Sequence, residues 1–282
     1  MEIKKVLDTN NEIDSCILCP ECKGNSSPLY KNVKSIHAEK LYDIYRCNIC
    51  EVAFTHPFGI LKTFYSEEEY GYERIKAQFR EEIYRNKIFL KLVRMHTKNS
   101  LLEIGSMFGL LLDELRKELY VFGIELAKTP FTEIQKKGID CYNGSIEDFS
   151  ESNDIKFDTV ISTHVIEHTD NVKSFISAIK KNLKKNGTLI IAFPNFERSH
   201  KLKHNWGWNL VPAHQYHFDE KYIKTLLNKY NFKVLNVYTK GGDAAFYLSC
   251  IYNFLNIKKG KLINPTISKF ILLFTFLFVS KP

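Results

Sequence analysis

From residue 99 onward, short apolar runs alternate with longer amphipathic stretches. Residues 100–104, 120–124, 139–142, 157–162, 188–193 and 232–238 are rich in branched and aromatic side chains and read as strands. Residues 110–119, 171–183 and 219–230 carry helical spacing, and Thr129-Pro130 opens a further helix with proline at its first position. The alternation predicts an α/β fold, a doubly wound and mostly parallel sheet covered by helices on both faces. In an open sheet of this kind the ligand lies beyond the carboxyl ends of the strands, so the residues following each strand are the ones to question.

Upstream the pattern changes. Ser66-Glu67-Glu68-Glu69 forms a capping box, and Ile75, Phe79 and Ile83 then recur every four residues. This predicts a helix or helix pair reaching about residue 95, a linker or lid over 63–98 between an N-terminal module (1–62) and a main domain (99–282).

Five of the seven cysteines fall in the first fifty residues, as Cys16-x-x-Cys19-x-x-Cys22 and Cys47-x-x-Cys50. An odd count argues against a disulfide framework, whereas two CxxC pairs suit a tetrahedral thiolate site for structural zinc. The expected ligands are Cys19, Cys22, Cys47 and Cys50, with Cys16 as the alternative to Cys22. Gly24 is expected to take the positive φ of the first knuckle. The segment between the pairs is long enough for an extra hairpin. Cys141 and Cys250 stand in apolar contexts and read as buried thiols.

Charge narrows the partners. Forty basic residues against 32 acidic give a net charge of +8, but no block of five or six like charges appears, so a nucleic-acid partner is not indicated. The N-terminal residues lack the apolar core of a secretory leader. The longest apolar run, 270–279, is far short of the roughly 20 residues of a membrane-spanning helix. A cytoplasmic location is expected. The apolar C-terminus has two readings: interfacial membrane contact helped by Lys258, Lys259 and Lys261, with an amphipathic helix at 244–255, or a closing antiparallel strand at 274–280. The strand reading is favoured, because the sheet otherwise lacks its last member.

Glu103-Ile104-Gly105-Ser106-Met107-Phe108-Gly109 follows the first strand of the main domain, and Glu125 ends the second. A carboxylate at the second tip can accept both hydrogen bonds of a ribose diol. The loop departs from G-x-G-x-x-G and alone is weak, but the pair points to a nucleoside-bearing cofactor.

Three further segments sharpen this: Phe157-Asp158-Thr159-Val160-Ile161-Ser162, then His164-Val165-Ile166-Glu167-His168, then the run from Leu183 to Asn195 that contains Asn186-Gly187 and ends in Pro194-Asn195. Together, over roughly residues 99–240, they resemble the class I S-adenosylmethionine-dependent methyltransferases, especially the branch with the ubiquinone-type O-methyltransferases and small-molecule and sugar methyltransferases. Some relatives of that branch also carry an N-terminal four-cysteine module. Met107 and Asn186 stand where the family usually has glycine.

The resemblance implies a seven-stranded Rossmann-like sheet and S-adenosylmethionine as cofactor. It places Glu103, Gly105, Phe108 and Gly109 beside the methionine part, Glu125 on the ribose hydroxyls, and Leu126 by the adenine. Ile146 and Glu147 would flank the adenine, and His164 would lie near the sulfonium. The expected acceptor is a small molecule, a hydroxyl of a sugar-like or aromatic metabolite, whose proton a histidine would take. His168, beside Glu167, and His214 are the candidates, with His214 favoured because its segment lies where acceptors dock; His217 is a further choice, and His204, Trp206 and Trp208 share that connection. The resemblance also allows a divalent cation beside Glu167 and His168. His164-x-x-Glu167-His168 spells an inverted zinc-peptidase motif, disfavoured because it directly follows a buried strand. The alternative to an enzyme is a non-catalytic zinc-ribbon interaction protein on the same fold.

Overall fold

The computed structural model describes residues 16–35, 40–59, 87–197, 211–240 and 274–280. The expected helix from Ser66 to Ile83, the connection with His204, Trp206 and Trp208, and the stretch 244–255 lie outside them.

The main sheet uses seven strands of the described chain. These are β4 (Ser100–Ile104), β5 (Tyr120–Glu125), β6 (Asp140–Asn143), β7 (Phe157–Thr163), β8 (Leu183–Pro194), β10 (Lys233–Lys240) and β11 (Phe274–Ser280). Their order is β10-β11-β8-β7-β4-β5-β6. The five central and right-hand strands are parallel, and β11 runs antiparallel between β8 and β10. This is the doubly wound, mostly parallel arrangement that the strand–helix alternation predicts, and 274–280 is its inserted antiparallel strand. No helix among the described residues is long and apolar enough to cross a membrane.

Strand alternation sends successive side chains to opposite layers. Leu101, Val121, Ile161 and Ile190 join one buried cluster, which Leu90 and Val93 of α1 (Lys87–His96) complete with Leu111, Leu112 and Leu115 of α2 (Leu110–Leu115). Leu102, Val160, Leu189 and Ile191 join the other, beneath Phe175, Ile176 and Ile179 of α5 (Val172–Asn182).

Local chemistry sets several boundaries. α4 (Ile146–Ser152) starts at a capping box in which Ser145 and Asp148 satisfy each other's backbone. Asn171 caps α5, and Asp219 caps α6 (Glu220–Lys229) by accepting from Tyr222 N. Two expectations need correction. The helix expected over 110–119 closes after Leu115, where Arg116–Leu119 turn into β5. The helix α3 (Lys128–Lys136) begins before Thr129, so Pro130 is its third residue, still in the first turn where no intrahelical N–H is required.

The N-terminal module is a small sheet. β1 (Ser26–Lys34) and β2 (Leu41–Cys47) form the expected hairpin, and β3 (Ala53–His56) pairs with β2. Its fourth strand comes from far along the chain: β9 (Tyr216–His217) pairs antiparallel with β3, matching Ala53 with His217 and Phe54 with Tyr216. The module is therefore cored into the main domain. Cys19, Tyr45, Cys47, Val52 and Phe54 belong to the same buried cluster as Leu102, Phe157 and Tyr216.

Candidate functional site

The loop after β4 is stitched to the tip of β5. Gly105 N and Ser106 N both donate to Ile124 O, at 2.9 and 3.1 Å. Ser106 Oγ donates to Glu103 O at 2.7 Å and accepts from Ile124 N at 3.1 Å. Gly105 has φ 72°, and a Cβ there would lie 2.5 Å from Val165 Cγ2, so both backbone conformation and space demand glycine. Met107 adopts φ 47° and Asn186 φ 59°. Both departures from glycine thus fall on left-handed positions. Asparagine tolerates that conformation, and methionine pays conformational strain there.

Two buried carboxylates face this loop. Glu125 is 5% exposed; its Oε2 accepts from Met107 N at 2.7 Å and its Oε1 from Ala127 N at 2.9 Å. Glu103, 7% exposed, has an Oε2 with no hydrogen-bond partner. Burial, then the neighbouring Glu125, pushes the Glu103 carboxyl well above the ordinary carboxylate range. Burial also raises Glu125, opposed by the backbone N–H groups of Ala127 and Met107. Asn143 Nδ2 ties the tip of β6 to Glu125 O at 2.8 Å and Leu126 O at 3.0 Å.

Other expected cofactor residues rim the same end of the sheet. Leu126 is 71% exposed, an apolar platform beside Glu125. Phe108 is buried, and Gly109, in the left-handed conformation, leads into α2. Ile146 is packed into the core at 2% exposure, while burial raises the carboxyl of half-buried Glu147. His164 follows β7 with φ 57°, and its N–H donates to Ala192 O at the neighbouring strand tip at 3.0 Å.

Beside them Glu167, His168 and His214 come together, with ligand-capable atoms all within 4.8 Å of one another. Glu167 is 1% exposed; its Oε1 accepts from His164 Nδ1 at 3.1 Å and its Oε2 has no hydrogen-bond partner. His168 Nδ1 lies 2.8 Å from Ala213 O. A carbonyl only accepts, so Nδ1 carries the proton, and in the neutral ring Nε2 is the proton-accepting nitrogen. Burial holds the His168 pKa below the ordinary value, partly offset by Glu167. The His168 and His214 rings meet edge to face at 4.8 Å. His214 is 4% exposed, whereas the His168 side chain keeps 19%. His217 is directed into the module, where its Nε2 lies 3.0 Å from Thr55 Oγ1. The HxxEH segment forms a single 3₁₀ turn, Ile166–His168, with His164 outside it, so the peptidase geometry is absent from these residues.

The four sulfurs of Cys19, Cys22, Cys47 and Cys50 lie within 4.8 Å of one another. Ile49 N and Cys50 N are directed at Cys47 Sγ at 3.3 and 3.4 Å. Of the two alternatives, Cys22 joins the cluster and Cys16 is an exposed thiol outside it. The Cys19 thiol is pulled down to about 5, first by its hydrogen bond with Cys50. The positive φ of the first knuckle falls on Lys23, at 61°, not on Gly24 as expected. A Cβ on Gly24 would meet the outer end of the exposed Ile49 side chain at 2.6 Å, a contact that side chain can relieve by turning into solvent.

Sequence reasoning missed Ser106, Asn143, Glu21 and Thr55. Ser106 and Asn143 follow strand ends and could have been flagged by that position. Glu21 and Thr55 carry no signal apart from their tertiary partners.

A sheet of this order, with a loop of left-handed residues at the first tip and an acid at the second, defines the class I S-adenosylmethionine-dependent methyltransferase fold. A family model described as a methyltransferase domain matches residues 76–237, more than half the chain, and the chain belongs to that family. It is 28% identical over 173 residues to a mitochondrial ubiquinone biosynthesis O-methyltransferase of Dictyostelium discoideum, an alignment covering 54% of this chain and 52% of that protein. The chain thus spans about half the length of the curated relative it matches. Among solved structures, a Galdieria sulphuraria protein assigned as a sarcosine dimethylglycine methyltransferase superposes with a TM-score of 0.52 at 13% identity, over 72% of this chain and 87% of that one. The magnesium protoporphyrin IX methyltransferase of Synechocystis gives 0.50 at 14% identity, over 74% and 86%. These two likenesses concern the fold alone.

Proposed function

We propose that the protein transfers a methyl group from S-adenosylmethionine to a hydroxyl of a small sugar-like or aromatic acceptor. The carrying observation is the pair of buried carboxylates at adjacent strand tips, with one Glu103 oxygen unpartnered. Such a pair is costly alone and is compensated by a cationic ligand. The cofactor offers an ammonium, a ribose diol and a sulfonium that supplies an already activated methyl group. The residues fit it. Glu103 can take the ammonium side. Each Glu125 oxygen keeps a second acceptor lone pair beyond its backbone N–H and can accept a ribose hydroxyl. Gly105, Phe108 and Gly109 would border the methionine part, Leu126, Ile146 and Glu147 the adenine, and His164 the sulfonium side.

An in-line displacement needs alignment and exclusion of water more than covalent help. For a hydroxyl acceptor the proton must also leave. His168 is suited to receive it at Nε2, since Ala213 O fixes its tautomer and Glu167 offsets the charge that develops. His214 packs against that ring and shapes the acceptor side. A second reading is favoured by the unpartnered Glu167 Oε2: a divalent cation held by Glu167, His168 and His214 that polarises the hydroxyl.

The cysteine cluster suits one structural zinc, because four thiolates at this spacing leave no open coordination position.

Titration calorimetry with S-adenosylmethionine tests the cofactor reading. Micromolar binding is expected, and no heat at millimolar ligand overturns it in favour of a non-catalytic interaction protein. Transfer of a labelled methyl group into fractionated small-molecule extract tests the acceptor class.

A further inference from the structure

Each residue from Ala213 to His217 is held from one side or both. On the main-domain side, Ala213 O accepts from His168 Nδ1, and Gln215 N donates to Glu167 O at 2.9 Å. On the module side, Thr55 N donates to Gln215 O at 2.9 Å, and Gly59 N donates to Gln215 Oε1 at 2.6 Å. Tyr216 OH donates to Glu21 Oε1 at 2.7 Å, inside the first cysteine knuckle. Thr55 Oγ1 makes two of these links. It donates to His214 O at 2.6 Å, and with its hydrogen so used it accepts from His217 Nε2–H at 3.0 Å. Thr55 and Gln215 are fully buried, so no water replaces a lost partner cheaply.

We propose that the cysteine module forms the fixed back wall of the acceptor side, and that Thr55 is a positioning residue holding the His214–Gln215 backbone against Glu167 and His168. β3 begins three residues after Cys50. The two knuckles fix its start, and β3 fixes the segment that fixes the His168 tautomer. Metal occupancy then sets the order of a site whose reacting groups touch no cysteine. The inference deepens the methyltransferase reading and rests on it only for what the ordered groups do.

The test follows amide hydrogen exchange and imidazole ¹⁵N signals of the full chain in the zinc-loaded form, after chelation, and in Thr55→Val and Thr55→Ser. Thr55→Val and chelation are each expected to speed exchange at the Gln215 amide at least tenfold and to shift the His168 nitrogen signals, while Leu102 and Val160 stay protected. Thr55→Ser, which keeps the hydroxyl, is expected to restore both. Unchanged Gln215 exchange in Thr55→Val and after chelation overturns the proposal. So does loss of protection everywhere, Leu102 included, because the coupling is then global. S-adenosylhomocysteine binding, measured on the same samples, reads the cofactor assignment separately: its absence with the exchange pattern intact removes the methyltransferase reading and leaves the brace standing.

Discussion

The proposed cofactor half and the proposed acceptor half of the site are built in opposite ways. The first is assembled from consecutive strand tips, Glu103 to Gly109, then Glu125, then Asn143 to Glu147, each placed by the strand before it. The second is assembled across the chain, from Thr55, Glu167–His168 and Ala213–His217. Each half keeps one unpartnered acidic oxygen, Glu103 Oε2 in the first and Glu167 Oε2 in the second. The second is more closely hydrogen-bonded within the protein. On the proposed reading, one half would draw its affinity from local loops, while the other would depend on a separate module for its shape.

The sharpest way to separate the halves is to remove each in turn. Glu125→Ala should weaken S-adenosylmethionine binding at least 100-fold by calorimetry, since it removes both the ribose acceptor and the tie between Met107 N and Ala127 N. His168→Ala should leave that binding within about twofold yet slow turnover roughly 10²–10⁴-fold once an acceptor is in hand. Comparable losses of cofactor affinity in both variants would erase the distinction. Cys47→Ser, or chelation, should release zinc, read by metal analysis, and lower stability by several kcal/mol, since binding energy at such a site is folding energy.

Proton linkage offers a finer cut. The fold holds His217 neutral, with burial lowering its pKa to about 3 from 6.5. Below pH about 6.5 the unfolded chain gains a proton that the fold refuses, so stability falls with pH toward 3, by up to about 1.4 kcal/mol per pH unit. Urea melts between about pH 7 and pH 5 should show this slope, and His217→Gln should flatten it. Glu103 works in the reverse direction. Its folded pKa is raised, so its contribution is intact below the ordinary carboxylate range and lost as pH rises through the folded value. Glu103→Gln should therefore stabilise the ligand-free protein at neutral pH by about 1 kcal/mol while weakening cofactor binding about tenfold. The smallest effect is Met107→Gly, which relieves a left-handed methionine at φ 47° and should add up to about 1 kcal/mol in the same melts.

The same contrast explains what could be read from the sequence. Strand–helix alternation gives the main sheet nearly strand for strand, because period and spacing are local properties. The cysteine quartet is equally legible from its spacing. β9 is not: Tyr216–His217 is a two-residue strand, too short for any periodicity, and its partner Ala53–Phe54 lies more than 150 residues earlier. The N-terminal edge of β8 is not legible because Lys184–Gly187 is polar and breaks the register with β7, which pairs Phe157 with Leu183 and then Thr159 with Thr188 around the left-handed Asn186. Glycine roles were half legible. Gly105 has the expected turn, but the left-handed position of the first knuckle falls on Lys23, one residue before Gly24.

The join between β3 and β9 also bears on any attempt to trim this protein to a minimal enzyme. Deleting the first 59 residues would strip Phe54 and Phe58 from Tyr216, uncover an aromatic stack that runs through Phe218 to Tyr222, and leave an unsatisfied strand edge beside Glu167. The shortened chain would keep every proposed cofactor-binding tip and would be prone to self-association at the face proposed for the acceptor.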